Sequence, residues 1–267
     1  MKIIFALFYL LLATSQTAYA SCESSNKTVK SDDFEIRYID MQPAVDSKGL
    51  VLIVPPTGGT NYIDRSYGRS LCKSGLHLII LDGWTGDKEF SQELSIHTRF
   101  YQRAQRAIEL VLKQYDEKSV GILGTSVGAL HAAIAMTKLD KINSAFFIVG
   151  GGDIAGIIAN SDQKVLADAK VSRFKSLNLK SDQEYYEALK KVVPFEPLEL
   201  PFNRKDKKLG MIISSADKTV PSVNQFLLRD QWHPDVFKTS SWSHTPTIVK
   251  TWLFDTQLIV NFFNDKK

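Results

Sequence analysis

Apolar and polar positions along the chain alternate between two kinds of segment. Continuous apolar runs of strand length occur at 49–56 ("GLVLIVPP"), 75–83 ("GLHLIILDG"), 119–124 ("SVGILG"), 144–152 ("SAFFIVGGG") and 209–217 ("LGMIISSAD"). Runs with no polar face predict parallel strands covered on both sides. "FEIRYID" at 34–40 alternates instead, as a half-exposed strand does. Between the runs lie segments of helical period at 98–115, 127–139 and 251–263. Residues 21–33 are polar and predict a loose lead-in. Strand–helix alternation with short junctions predicts an α/β protein on a mostly parallel sheet, flanked by helices. Active sites in such sheets gather where strands end.

One interval breaks this rhythm. The segment 153–208 is longer than an ordinary crossover and predicts a helical, cap-like insertion over the strand ends. Within it, Ser181 and Glu184 have capping-box spacing for a helix that must stop before Pro194.

The first twenty residues have a separate logic. Lys2, the apolar "IIFALFYLLLA" and the small-x-small "AYA" form a secretory leader with cleavage after Ala20. The apolar run is too short to span a bilayer comfortably. A mature chain of 21–267 is therefore expected outside the cytoplasm, periplasmic or secreted, as a single domain with no membrane span. Cys22 and Cys72 are the only cysteines, and in an oxidising compartment they predict a disulfide. The competing reading is a lipid anchor on Cys22 with Cys72 free.

Composition narrows the class further. The 33 basic and 29 acidic residues are interspersed, with net charge +4 and no basic stripe carrying aromatics. No nucleic-acid partner is expected.

The chemistry-bearing candidates follow the apolar runs. Gly124-Thr125-Ser126-Val127-Gly128 matches G-x-S-x-G between a predicted strand and a small-residue helix. A sharp strand-to-helix turn leaves the middle residue projecting, and glycines let neighbouring backbone pack closely. Ser126 would then sit at a helix N-terminus, where the dipole favours negative charge.

With that motif the sequence resembles the α/β-hydrolase superfamily of serine esterases, lipases and peptidases. The resemblance runs from about residue 34 to 263 in element order and implies an acid and then a histidine after the serine. "SADKTVP" offers Asp217 and "SSWSHTPTI" offers His244, 27 residues later. Ser243 replaces the glycine that commonly precedes this histidine. Asp153, after "VGGG", is the alternative acid; Asp82 and Asp87 precede the serine and fit the order less well. His77, His97, His131 and His233 read as core, helix or loop residues. For the oxyanion donors, the resemblance implies the Val127 N–H and one from the Pro55-Pro56-Thr57-Gly58-Gly59 loop. Proline has no N–H, which leaves Thr57 or Gly58. Tyr62 and Trp84 are candidates for a pocket wall.

With the leader, which predicts export, the resemblance implies a serine hydrolase that is acylated on Ser126 by a small-molecule carboxylic ester, or an amide or thioester, and needs no metal or organic cofactor. Two other readings remain open at this point: a catalytically silent binding protein of the same fold, and an acyltransferase using the same serine.

Overall fold

The computed structural model describes residues 21–31, 35–57, 59–82 and 93–265. The leader expected at 1–20, Gly58, Trp84 and Asp87 lie outside the described residues.

Eight strands form one sheet. They are β1 (Cys22–Lys30), β2 (Glu35–Pro43), β3 (Leu50–Val54), β4 (His77–Asp82), β5 (Val120–Thr125), β6 (Ile142–Ile148), β7 (Lys208–Ser214) and β8 (Val236–Ser240). Their spatial order is β1-β2-β4-β3-β5-β6-β7-β8. The first two run antiparallel to their neighbours, and β4 through β8 are joined by parallel pairs. Every residue of β3 and β5 is buried, as their unbroken apolar or small sequences predict.

Helices cover both faces. On one side α2 (Ser95–Leu112), α3 (Val127–Lys138) and α7 (Ser222–Trp232) pack Ile108, Val111, Ala132, Met136 and Leu228 against Leu52, Ile122 and Phe147. On the other, α1 (Tyr62–Lys73) and α9 (Thr256–Asn264) set Tyr67, Leu71 and Ile259 against Ile53, Leu78 and Phe146. Full burial of such side chains contributes about 1.5–3 kcal/mol each, so these two layers hold the sheet in place.

The polar lead-in expected at 21–33 is instead largely a strand. β1 pairs with β2 along its whole length, from Cys22 opposite Pro43 to Lys30 opposite Glu35. Nearly all of it is exposed, so no apolar period marks it. Backbone hydrogen bonding and covalent attachment hold it in place. Cys22 and Cys72 are disulfide-bonded, with Cα atoms 6.1 Å apart across 50 residues of sequence. In the chain-entropy picture a loop of that length stabilises the fold by about 4 kcal/mol. The bridge also overturns the lipid-anchor alternative, because Cys22 Sγ is already bonded.

Asp40 pins the same edge from inside. Its buried carboxylate accepts from Lys27 Nζ at 2.5 Å and Tyr115 OH at 2.9 Å, and meets His77 Nε2 at 2.8 Å. Burial alone would raise its pKa, but these partners hold it well below the usual carboxylate range.

The terminal helical segment also differs from expectation. It is two helices, α8 (His244–Phe254) and α9, broken at Asp255. Asp is a poor helix-interior residue, and Asp255 turns outward to Lys238, 2.6 Å away. α9 returns to α1, where Asn264 Nδ2 donates to Ser74 Oγ at 2.8 Å.

Between β6 and β7 lie α4 (Ile154–Asn160), α5 (Lys164–Ser176) and α6 (Asp182–Val192). Ile154, Ile157, Tyr185 and Leu189 form a third apolar cluster with Tyr101, Leu130 and Val220. α6 is capped as its sequence implies, with Ser181 Oγ accepting from Glu184 N. The return bond differs: Glu184 Oε2 takes the N–H of Lys180, one residue before the cap.

Candidate active site

Ser126 sits on the sharp turn from β5 into α3. Its φ of 56° is in the left-handed region, unusual for a residue with a side chain. The turn is held from both sides: Ser126 N donates to Ile148 O at 2.9 Å, and Ser126 O accepts from Ala129 N at 2.8 Å. Two glycines permit the geometry. A Cβ on Gly124 would strike the Ala129 backbone, and one on Gly128 would strike the carbonyl oxygens of Val54 and Pro55. The G-x-S-x-G spacing therefore has a packing cause on each side of the serine.

Asp217 lies in the turn after β7 and is 4% exposed. Its Oδ1 accepts from the backbone N–H groups of Thr219 at 2.9 Å and Val220 at 3.1 Å. Its Oδ2 faces Gln225 Nε2 at 2.8 Å and His244 Nδ1 at 2.6 Å. His244 opens α8, directly after Ser243. The preceding loop is pegged by Ser214 Oγ, which donates to Trp242 O, and by Thr247 Oγ1, 2.9 Å from the same carbonyl. These pegs fix the chain entering His244.

The three side chains form one chain of contacts. Ser126 Oγ is 2.9 Å from His244 Nε2, whose other nitrogen meets Asp217. A carboxylate only accepts, so the proton belongs on Nδ1 and Nε2 is left to accept from the serine hydroxyl. This arrangement can move a proton from Oγ to the imidazole while the carboxylate stabilises the charged ring.

Sequence reading missed Gln225. Fully buried on α7, it donates to Asp217 Oδ2 and to Val220 O at 2.7 Å, and its Oε1 accepts from Ser214 N at 2.9 Å. It ties the end of β7 to the acid turn. A signal existed: Gln225, Leu228 and Trp232 follow helical spacing on the inward face, so the glutamine occupies a core position.

The proposed anion donors are partly described. Val127 opens α3, and its N–H has no partner within the helix. Thr57 lines a pocket that also touches Ser126 and Val127. Pro56 O accepts from Gly59 N at 3.2 Å, closing a tight turn in which Gly59 has φ of 86°.

Comparison with known proteins separates sequence from fold. No family model and no curated protein match the chain. Solved structures do. A cold-adapted esterase from an Arctic intertidal metagenomic library aligns at 12% identity and TM-score 0.57, over 90% of this chain and 94% of that one. An esterase of Pyrococcus furiosus, Pf2001, aligns at 15% identity and TM-score 0.59, over 90% and 91%. Pyrococcus horikoshii acylaminoacyl peptidase aligns at 16% identity and TM-score 0.63, over 96% of this chain but 43% of the peptidase.

The chain has the α/β-hydrolase fold.

Within this hydrolase fold the rival candidates are otherwise engaged. Asp153 caps α4, accepting from Gly156 N at 3.1 Å and Tyr186 OH at 3.1 Å, and makes no contact with His244. His77 belongs to the Asp40 cluster. His97 is buried beside Arg173, and burial followed by that charge pushes its pKa down to about 3. His131 is fully buried in α3 among Phe100 and Tyr101, and burial likewise lowers its pKa to about 3. His233 ends α7 in a left-handed conformation. Tyr62 is exposed, with its ring edge-on to Trp252 at 5.5 Å between centroids. Among the described residues, no group of three or more His, Cys, Asp and Glu side chains could hold a metal ion.

Proposed function

We propose that this protein is an exported serine hydrolase that cleaves a carboxylic ester through an acyl-enzyme on Ser126. The observation that carries this reading is the unbroken contact from Ser126 Oγ through His244 to Asp217. His244 Nε2 takes the hydroxyl proton as Oγ attacks the substrate carbonyl carbon. The carbonyl oxygen becomes an oxyanion, received by the Val127 N–H and by that of Thr57 or Gly58. As the carbon–oxygen bond to the alcohol breaks, the imidazolium returns its proton to the departing oxygen. Water then repeats the sequence on the acyl-enzyme, releasing the acid and restoring Ser126. Asp217 holds the Nδ1–H tautomer throughout.

Two of the similar structures are esterases, which supports an ester as the first substrate to test. Export is supported by the leader sequence and by the Cys22–Cys72 bridge, which belongs in an oxidising compartment. Among the described residues no helix is long and apolar enough to cross a membrane.

The test is a fluorophosphonate label with peptide mapping. Ser126 should carry the adduct, and Ser126→Ala should abolish it. Labelling that persists in the variant removes the assignment, and an unlabelled wild type points to a hydrolase fold used for binding alone. Product analysis with an added alcohol separates hydrolysis from acyl transfer.

A further inference from the structure

The pocket beside Ser126 supplies a substrate class. It is a cavity with about 60 Å³ of space open to a water-sized group, between α2, α3, α4 and the acid turn. Phe100, Leu130, Ile157, Ile158, Leu166 and Val220 make its walls. Among the described residues, no lysine, arginine, aspartate or glutamate lines it.

Its one imidazole is kept uncharged by its surroundings. His97 Nε2 lies 2.9 Å from Nη1 of the fully buried Arg173, which also donates to Tyr185 OH at 2.9 Å. Guanidinium nitrogens only donate, so Nε2 must accept and the single ring proton belongs on Nδ1. A second proton would set two cations side by side in the interior. His97 is therefore a neutral wall.

The pocket's position relative to His244 decides which half of an ester enters it. The departing oxygen must lie within reach of His244 Nε2 to receive its proton. His244 does not line the cavity, whereas Ser126 and Val127 do. The space thus extends from the serine away from the proton donor, on the acyl side of the scissile bond.

We propose that this pocket is the acyl subsite and takes a short, uncharged, apolar acyl group. The proposal rests on Ser126 acting as the nucleophile. One water-sized group needs about 10–15 Å³ of such space, so the pocket holds roughly four to six heavy atoms. A long lipid chain exceeds it. A charged acyl group, such as an aminoacyl group with a free ammonium, would be stripped of water with no opposite charge to meet it among the described lining residues.

The experiment measures kcat/KM for p-nitrophenyl acetate, propionate, butyrate, octanoate and palmitate, and for the glycine ester, which matches propionate in size. Fluorophosphonate labelling of Ser126 is followed in parallel. From acetate to butyrate, kcat/KM should rise roughly fourfold per methylene, the equivalent of ~0.8 kcal/mol of burial. It should peak at butyrate and fall at octanoate and palmitate. The glycine ester should be slower than propionate by on the order of a hundredfold. Ile157→Ala should move the optimum to longer chains and Leu166→Trp to shorter ones, with labelling by a small fluorophosphonate retained in both.

A flat series, a preference for octanoate or palmitate, a glycine ester as fast as propionate, or labelling without turnover of any uncharged ester would overturn the subsite. Variants that leave the optimum unmoved would do the same. Absence of labelling in the wild type would instead remove the nucleophile, and the subsite with it.

Discussion

Ser126, His244 and Asp217 come from three separate turns, yet each is held by bonds that owe nothing to the other two. Ser126 is fixed by strand-to-helix geometry, Asp217 by two backbone donors, and His244 by the pegged loop before it. Gln225 is where these supports meet, because its amide spans Ser214 N, Asp217 Oδ2 and Val220 O. Gln225→Ala removes a buried donor and acceptor together and leaves Ser214 N–H unpaired. It should cost about 2 kcal/mol or more in urea unfolding and lower kcat more than it raises KM. Unchanged kcat in a folded variant would show that the acid turn needs no such brace. At this scale the sequence singled out the three side chains that the structure brings into contact, because chain order and local motif coincide there. It left Thr57 and Gly58 unresolved, since both have an N–H and only backbone direction separates them. Gln225 stayed hidden because its partners lie in the β7 strand and in the turn after it.

The elements that were readable are those whose environment is uniform. β3, β5 and β7 are buried on both faces, and an unbroken apolar run records that directly. β1 has the opposite character: it is exposed, polar and held by ladder bonds and a disulfide, neither of which imposes a period on side chains. The break between α8 and α9 was equally silent, since apolar residues continue on either side of Asp255. Element packing also yields a sharp test. α3 approaches the end of β3 so closely that Gly128 has no room for a methyl group against Val54 O and Pro55 O. Gly128→Ala should force the helix away from the sheet, destabilising the protein by about 1–3 kcal/mol or more and displacing Ser126. Chemical denaturation and fluorophosphonate labelling measure the two effects separately. A variant of wild-type stability would mean that α3 can slide without consequence.

For the molecule as a whole, two buried carboxylates act in opposite directions on stability as pH changes. Asp40 has a depressed pKa, so its contribution is full above the ordinary carboxylate value and is lost as acid protonates it. Asp64, in the first turn of α1, is desolvated by burial, and its pKa rises to about 7 despite the Asn61 N–H and Arg65. The folded state then keeps its proton longer than the unfolded chain does. Stability should fall as pH rises from about 4 to about 7 on this account and level off above. Asp64→Asn should flatten that slope in urea titrations at several pH values, while an unaltered slope would place the titration elsewhere.

The two tethers on α1 have a consequence for how the polypeptide could be rewired. Cys22 is bonded to Cys72, and Asn264 reaches Ser74 two residues later, so both extremities of the fold converge on one helix end. A short linker could join them there and fresh ends be opened in a distant surface loop, leaving the eight-stranded sheet with its connections intact in space.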